Sequence, residues 1–174
     1  MFIKLNKPIQ ILTYEIQQHY VSFGNKITYS KVSTPLNDIF SLIPERYRTD
    51  FILLLMEISG NIAPHTDSDI LSTINIYIKT DNCKTVFHDL IDSTAPVRSR
   101  KIKNQTNGRM FDPTCLKVIG EFEAVPTDAW LLDVTRIHSV ISAAGNINRK
   151  SICLQTTKHS IEHVKEMLSE TGYL

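Results

Sequence analysis

A chain of 174 residues with 42% hydrophobic and 21% charged residues has the length of one domain and can bury a core without disulfides. Its 19 basic and 18 acidic residues give a formal net charge of +1, which argues against general electrostatic attraction to nucleic acid or to an anionic membrane. The three cysteines lack CxxC spacing, so neither a disulfide framework nor a thiolate zinc site is expected.

The chain shows no sign of secretion or membrane insertion. Its first residues contain no uninterrupted apolar stretch with a cleavage site, so a signal peptide is not expected. The longest apolar run, Phe51 to Met56, is too short to cross a bilayer. We therefore expect one cytoplasmic domain over residues 1–174, with reduced thiols and no membrane partner.

Residues 1–50 are predicted to form a supporting segment that contains a helix. The stretch from Ile9 to Tyr20 fits a strand as well as a helix. In the stretch 34–43, a threonine suits the N-cap and a proline suits the first helical position, so a helix is predicted there.

Residues 51–157 carry many short strand patterns and are predicted to form the core of the fold. STINIYIK at 72–79 alternates polar and apolar residues with a period of two. Asp81-Asn82 supplies a turn to KTVFHDLI at 84–91, and the two segments are predicted to form a hairpin. Further strand patterns are FILLLMEI, CLKVIGEFEAV, AWLLDV and KSICLQTT. Many strands with a few helices at the ends predict a mainly-β sandwich or barrel.

The stretch 92–113 is predicted to be a long basic loop. A loop of this length is either a functional lid or a solvated, disordered segment, and the pattern does not choose between them. Its basic residues are Arg98, Arg100, Lys101, Lys103 and Arg109. The chain is then predicted to end in a helix over 160–172, with Ser160 as N-cap and apolar residues at helical spacing.

The residues that point to chemistry begin with PHTD, which places His65 and Asp67 two positions apart. On a strand such residues point the same way. His138, in DVTRIHSV, offers a second imidazole. Two histidines and a carboxylate on one face of an octahedron leave three positions open, which is the ligand set of non-haem Fe(II) oxygenases. HxD alone is weak, because an isolated histidine is more commonly hydrogen-bonded or at the surface.

A basic residue downstream of His138 strengthens this interpretation. Arg149 follows 11 residues later, and Ser151 lies on the same face of the same predicted strand. A guanidinium beside a hydroxyl suits bidentate recognition of a carboxylate. A 2-oxo acid bound to iron through one end needs such a partner at its other end.

In this order and spacing, PHTD, TDAWLLDVTRIHSV and NRKSICLQ resemble the 2-oxoglutarate/Fe(II)-dependent oxygenase superfamily, and within it the prolyl-hydroxylase-like branch. The resemblance covers about residues 58–156. It implies a double-stranded β-helix, that is, a cupin-like jelly roll, with flanking helices at both ends of the chain. It also implies that His65, Asp67 and His138 bind iron.

The same resemblance implies how the cosubstrate is held. Arg149 would bind the distal carboxylate of 2-oxoglutarate, helped by Ser151, Tyr77 and Asn75. The polar face of STINIYIK would then point into the barrel; in the opposite orientation its isoleucines form the core and Tyr77 is solvated. Two departures weaken assignment to prolyl substrates: FILLLMEI has no tyrosine, and the residues 82–84 are not Gly-Gly.

The resemblance implies an Fe(II)- and 2-oxoglutarate-dependent dioxygenase that uses O2, releases succinate and CO2, and hydroxylates an amino acid, a peptide or another small substrate. One alternative is a cupin-like metalloenzyme, an isomerase or hydrolase, that does not use 2-oxoglutarate. Another is a jelly-roll binding module without catalysis. The basic loop 98–109 leaves open a local contact with nucleic acid or another anion.

Overall fold

The computed structural model describes residues 1–11, 13–23, 26–33, 37–94, 96–102 and 108–174, and the side chains of 20–23, 37, 38 and 146 lie outside that description. The described part is mainly β. Its strands are β1 (Phe2–Lys4), β2 (Glu15–Phe23), β3 (Ile27–Ser33), β4 (Ile52–Gly60), β5 (Ile62–Thr66), β6 (Ser72–Lys79), β7 (Lys84–Leu90), β8 (Ser99–Lys101), β9 (Arg109–Phe111), β10 (Leu116–Glu123), β11 (Ala129–Leu132), β12 (His138–Ile141) and β13 (Asn146–Thr156). Its helices are α1 (Asn37–Phe40), α2 (Ile161–Glu170) and two 3-10 helices, Glu45–Asp50 and Pro113–Cys115.

The strands form two antiparallel sheets arranged as a jelly roll. One sheet has seven strands in the order β1-β11-β6-β13-β4-β3-β2, and the other has six in the order β10-β7-β12-β5-β9-β8. The strands β4 to β7 and β10 to β13 pass back and forth between the two sheets, which is the jelly-roll pattern. The strands β1 to β3 widen the first sheet, and β8 and β9 widen the second. The predicted mainly-β jelly roll is confirmed.

The predicted hairpin between residues 72–79 and 84–91 is wrong. Both segments are strands, β6 and β7, but β6 pairs with β11 and β13, whereas β7 pairs with β10 and β12. The turn at Asp81 and Asn82, which both have positive φ, carries the chain from one sheet to the other. A turn signal shows that the chain reverses, but it does not show which sheet the next strand joins.

The two faces of β6 point into different environments. Ile74 and Ile76 are fully buried and pack in a cluster with Val164 and Leu168 of α2. Each such side chain contributes roughly 1.5–3 kcal/mol by leaving water. On the other face, Thr73 and Asn75 line a cavity inside the barrel. The expectation that the polar face points inward is therefore confirmed, and the barrel is lined with groups that can bind a polar ligand.

The helices differ from the expectation at the N-terminal end. In the described part of that region, α1 is a single turn of four residues and is followed by the 3-10 helix Glu45–Asp50. The predicted flanking helix over 34–43 is therefore wrong, although Ile39, Leu42 and Ile43 are buried as its apolar pattern requires. The C-terminal helix α2 is confirmed, and the Ser160 hydroxyl accepts from the backbone N–H of His163.

Two short stretches of the basic segment 92–113 are the strands of a β-hairpin. Strands β8 and β9 pair with each other, and β9 pairs with β5, so the hairpin extends the six-stranded sheet. The prediction of a loop throughout this segment is wrong for these two strands, which are too short to show an alternating pattern. Lys103 lies outside the described residues. Within the described chain, no helix has the length and apolar character needed to cross a membrane.

Candidate functional site

Two neighbouring strands of the six-stranded sheet place the predicted metal ligands. His65 lies in β5 and His138 opens β12, and the two residues are direct partners in the antiparallel register. Partners of this kind project from the same face of a sheet. Asp67 follows β5, and its backbone N–H donates to the carbonyl of Val134 at 3.0 Å. The chain thus brings two imidazoles and a carboxylate to one point, which we call the metal cluster (His65, Asp67 and His138).

A bulge in β5 sets the direction of His65. Between the pairs His138–His65 and Val140–Ile62, β5 advances three residues while β12 advances two. The extra residue lies at Ala63-Pro64, where the missing N–H of proline costs no ladder hydrogen bond. Bulges often re-aim a side chain beside a functional site, and here the strand turns His65 towards the mouth of the barrel.

The ligand atoms of the metal cluster surround a common point. One potential ligand atom from each residue lies within 4.8 Å of the other two. The Nε2 atoms of His65 and His138 are 3.4 Å and 3.8 Å from Oδ1 of Asp67. These separations exceed the 2.9–3.0 Å typical of an N–H···O hydrogen bond, and a shared ion with ligand bonds of about 2 Å would span them.

Backbone carbonyls select the tautomer that can bind a metal. Nδ1 of His65 lies 2.9 Å from the carbonyl oxygen of Ala63, and Nδ1 of His138 lies 2.9 Å from that of Arg136. A carbonyl only accepts, so each Nδ1 must carry the proton and donate it. Each Nε2 then keeps a lone pair that faces Asp67. Such outer contacts are typical of histidines that bind metals.

The three groups of the metal cluster shift one another's pKa values. Burial and the charge of His65 lower the pKa of His138 to about 4. Burial opposes protonation of His65 too, but its interaction with the Asp67 carboxylate outweighs burial and raises its pKa above 6.5. Burial would raise the pKa of Asp67, but the two histidines hold it below 3.8. A divalent cation would satisfy the carboxylate and both lone pairs.

A narrow inner cavity leads from the metal cluster into the barrel. It offers about 40 Å³ to small molecules and is lined by the metal cluster and by side chains of the seven-stranded sheet. Arg149 lies at this cavity and is 2% exposed. Asn75, predicted to contact the cosubstrate, also lines it.

Arg149 is a buried cation that the described protein leaves without an acidic partner. Its Nη2 donates to the hydroxyl of Tyr77, its guanidinium lies 4.5 Å from the centre of the Tyr77 ring, and its Nη1 is 3.9 Å from Sγ of Cys83. None of the ion pairs in the described residues includes Arg149, and its buried Nε has no hydrogen-bond partner. An unpaired buried charge costs several kcal/mol, so this site favours an anionic ligand.

Tyr77 and Ser151, the other residues predicted to hold the cosubstrate, lie at different places relative to Arg149 and the inner cavity. Tyr77 reaches the site through its contact with Arg149. Ser151 is fully buried, and its hydroxyl lies 3.5 Å from Sγ of Cys153. It is not among the described residues that line the inner cavity. The role of Ser151 beside Arg149 in binding the cosubstrate stays a prediction.

Three polar residues of the inner cavity were not predicted from the sequence: Tyr29, Thr85 and Gln155. The hydroxyl of Thr85 is buried without a partner, as is Nε of Arg149. Burial and the nearby Asp67 carboxylate raise the pKa of Tyr29 well above 10, so its phenol stays neutral. Tyr29 comes from β3, which pairs with β4, and no spacing in the sequence relates it to the metal ligands.

A wider outer cleft opens at the mouth of the barrel. It has a volume of about 450 Å³, within the usual range for small-molecule sites. The cleft shares Tyr29, His65 and Asp67 with the inner cavity, so the metal cluster stands where the two spaces meet. A ligand in the cleft can therefore reach the metal cluster without contacting Arg149, which lines the inner cavity and is not among the described residues that line the cleft.

Fold and site together define a jelly-roll protein with a candidate centre for one metal ion. No protein-family model and no curated protein matches the chain. Two solved structures are similar: vicilin from hazelnut (Corylus avellana), with 10% identity and a TM-score of 0.45 over 82% of this chain and 32% of that one, and ycfD of E. coli, with 11% identity and a TM-score of 0.44 over 84% and 39%. This chain spans less than two fifths of either protein, and the similarity carries no argument about activity.

Proposed function

We propose that this protein is an Fe(II)- and 2-oxoglutarate-dependent dioxygenase that hydroxylates a small substrate. The observation that carries the proposal is that the metal cluster and the unpaired guanidinium of Arg149 line the same buried cavity. A 2-oxo dicarboxylic acid has one end that chelates a metal and a carboxylate at the other end. It is therefore complementary to both groups at once.

The residues present fit the metal. Two neutral imidazoles with oriented Nε2 atoms and one carboxylate would hold Fe(II) and leave further coordination positions open. Iron bound there would supply the oxidative chemistry that couples decarboxylation of 2-oxoglutarate to succinate with hydroxylation of a substrate by O2. The carbonyls of Ala63 and Arg136 keep the two rings in the ligating tautomer.

The residues deeper in the barrel would hold the cosubstrate. Arg149, oriented by the Tyr77 hydroxyl, would donate charge-assisted hydrogen bonds to the distal carboxylate. The unpaired hydroxyl of Thr85 and the side chain of Asn75 offer further polar contacts along the cavity. The narrow cavity favours a slender ligand, and its apolar walls exclude water from the bound acid.

The substrate would enter through the outer cleft. This cleft reaches His65 and Asp67 without passing Arg149, so substrate and cosubstrate would approach the metal from different sides. A site that separates them in this way holds the reacting carbon near the metal while the cosubstrate stays enclosed.

The test is formation of the ternary complex with Fe(II) and 2-oxoglutarate. We expect the anaerobic protein to develop the visible charge-transfer absorption of a 2-oxo acid chelated to Fe(II), and to release succinate when O2 is admitted. The His138→Ala variant should lose both signals. The His163→Ala variant, which removes a histidine remote from the cavity, should retain them.

The result also separates the proposed activity from its alternatives. Binding of Fe(II) without chelation of 2-oxoglutarate would overturn the proposal in favour of a metalloenzyme that does not use this cosubstrate. Failure of the protein to bind any divalent metal would favour a binding module.

A further inference from the structure

The register of the six-stranded sheet places one basic side chain of the β8–β9 hairpin on the same face as the metal cluster. His138 is paired with His65, His65 with Met110, and Met110 with Arg100. Directly opposed residues share a face, so these four side chains form a row. With neighbouring strands about 4.8 Å apart, Arg100 begins roughly 10 Å from His65.

The adjacent basic residues of the hairpin project from the opposite face. Arg109 is paired with Thr66, and Lys101 with Arg109. Because successive residues of a strand alternate between faces, this second row points away from the cleft. In agreement, Arg100 lines the outer cleft, and neither Lys101 nor Arg109 is among the described residues that do.

A second cation reaches the outer cleft from a different element. The aliphatic stem of Lys26 lies against Gly60, and its Nζ donates to the carbonyl of Asn61 at 3.0 Å. Neither Lys26 nor Arg100 takes part in an ion pair within the described residues, and Nη2 of Arg100 lies 3.8 Å from Sδ of Met110. Asp67, a predicted metal ligand, is the one carboxylate among the described residues that line the cleft.

The rest of the cleft is largely apolar. Its lining includes Ile27, Ile62, Ile102 and Met110, and the register places Met110 between Arg100 and His65. The cations of the cleft are thus exposed side chains, and an apolar residue separates Arg100 from the metal cluster. A ligand that matched this surface would carry its charge at one end and an apolar body at the other.

We propose that the substrate is a small amphipathic anion, whose carboxylate or phosphate group lies between Lys26 and Arg100 and whose apolar body extends over Met110 to the metal. This assignment rests on the proposed function for the reaction, but the anion site itself does not depend on it. Charge at the mouth would also attract such substrates from solution.

The experiment compares probes that differ in charge alone. Hexanoate, hexanamide and hexyl phosphate are titrated by NMR into protein loaded with Zn(II), which is diamagnetic and redox-inert, and with 2-oxoglutarate, so that Arg149 is engaged. The titrations are repeated without metal and cosubstrate. The variants are Arg100→Gln and Lys26→Gln, with Lys101→Gln as matched control. All three positions are exposed, and each variant's spectrum reports whether it is folded.

We expect hexanoate or hexyl phosphate to bind about five- to tenfold more tightly than hexanamide, which is the scale of one or two solvent-exposed charge contacts. The stronger of the two anions identifies the charged group. The preference should fall in Arg100→Gln and Lys26→Gln and persist in Lys101→Gln.

Three results would overturn the inference: equal affinity for hexanoate and hexanamide, an equal loss in the Lys101→Gln control, or a preference that persists undiminished in both Arg100→Gln and Lys26→Gln. If Zn(II) and 2-oxoglutarate fail to bind while the anion preference persists, the proposed function fails and the anion site stands. If 2-oxoglutarate binds but the probes show no charge preference, the anion site fails and the proposed function stands.

Discussion

The mouth of the barrel and the start of the C-terminal helix each hold two histidines and one aspartate. At the mouth these residues form the metal cluster. Beside α2 they form what we call the terminal cluster, which consists of Asp50, His159 and His163. The residue types are the same, yet the two clusters use their nitrogen and oxygen atoms differently.

In the terminal cluster the side chains bond to one another. Nε2 of His159 lies 2.8 Å from Oδ2 of Asp50, and Nδ1 of His159 lies 3.1 Å from Nδ1 of His163. Oδ1 of Asp50 is paired with Lys158, and Tyr47 packs edge-on against both rings. Few lone pairs remain for an ion, so this cluster ties α2 to the 3-10 helix before β4.

In the metal cluster the histidines bond to their own strands. Each Nδ1 uses the carbonyl two residues earlier, and each Nε2 stops more than 3 Å short of the Asp67 carboxylate. The comparison teaches that a ligand set is recognised by where its lone pairs point. Residue composition alone does not distinguish the two clusters.

Removing one imidazole from each cluster is the most direct test of whether only the metal cluster binds a metal ion. We expect His138→Ala to weaken binding of Fe(II) or Mn(II) by more than about 100-fold, because loss of a ligand exceeds the 10–100-fold cost of losing an outer contact. His163→Ala should leave the affinity unchanged. Anaerobic titration calorimetry measures both, and comparable losses in the two variants would show that the distinction is wrong.

Replacement of the buried guanidinium of Arg149 tests whether this group binds the distal carboxylate of 2-oxoglutarate. Arg149→Gln should raise the Kd of 2-oxoglutarate by more than about 100-fold, since truncating one partner of a buried charge pair costs about 3–5 kcal/mol and 1.4 kcal/mol is tenfold. The affinity for the metal alone should not change. The matched control is Arg98→Gln, which removes an exposed guanidinium paired with Asp112. An unchanged Kd in Arg149→Gln would place the distal carboxylate elsewhere.

Proton competition provides a third test of the metal cluster. The Asp67 carboxylate raises the pKa of His65 above its ordinary value, whereas burial and the charge of His65 lower the pKa of His138 to about 4, so His65 is the imidazole at which protons compete with the metal. Below the pKa of His65 the apparent metal affinity should fall about tenfold per pH unit, with release of one proton on binding. Calorimetry in buffers of different ionisation enthalpy counts the protons. Release of two protons at pH 6 would contradict this assignment.

The terminal cluster should respond to pH through stability instead. Hydrogen bonds from Lys158 and His159 lower the pKa of Asp50 in the folded state. A depressed pKa contributes stability above the unfolded value of 3.8, and that contribution is lost as the pH falls through the folded pKa. Asp50→Asn should therefore lower the Tm near neutral pH and converge with the parent protein in acid. The metal affinity of Asp50→Asn should match that of the parent protein. A loss of metal affinity in this variant would show that the terminal cluster also binds the metal.

The smallest expected effect concerns a single hydroxyl. Thr85→Val removes a buried hydroxyl that has no partner, so the free protein should gain up to about 1 kcal/mol in its free energy of unfolding while its affinity for 2-oxoglutarate falls. Thr73→Val is the control, because the Thr73 hydroxyl donates to Asn75 at 2.9 Å and its loss should destabilise. Denaturant unfolding without 2-oxoglutarate measures the free energy of unfolding of each variant, and unfolding with 2-oxoglutarate measures how much the ligand stabilises it. Destabilisation of the free protein by Thr85→Val would indicate a bonded hydroxyl.

Much of the fold could be predicted from local patterns. The strands β6 and β10 and the helix α2 show clear periodicity, and each is present. Other elements could not be read locally. The segment that forms β5 is only five residues long and contains Pro64, and residues 34–43 have a helical apolar pattern but form a single turn in the described part. Their conformations are set by tertiary contacts.

The candidate site was predictable where spacing carries chemistry. The HxD pair, the distal histidine and Arg149 were found because their roles require particular residue types in a particular order, and the structure brings them to one cavity. Tyr29 and Thr85 were missed because they reach the cavity through strand register between distant segments, and for the same reason the sequence did not single out Arg100 among the basic residues of its segment. Register depends on partner strands, which a single sequence does not specify.

The bulge at Ala63-Pro64 has a consequence for how distant relatives of this chain should be compared. A one-residue deletion at the bulge would leave the ligand residues in the same order in the sequence. It would nevertheless make the first histidine project from the opposite face of its sheet. An aligned protein could thus display histidine, aspartate and histidine in the proper columns and still be unable to hold an ion. Counting residues between β4 and the first histidine is therefore as informative as finding the histidine itself.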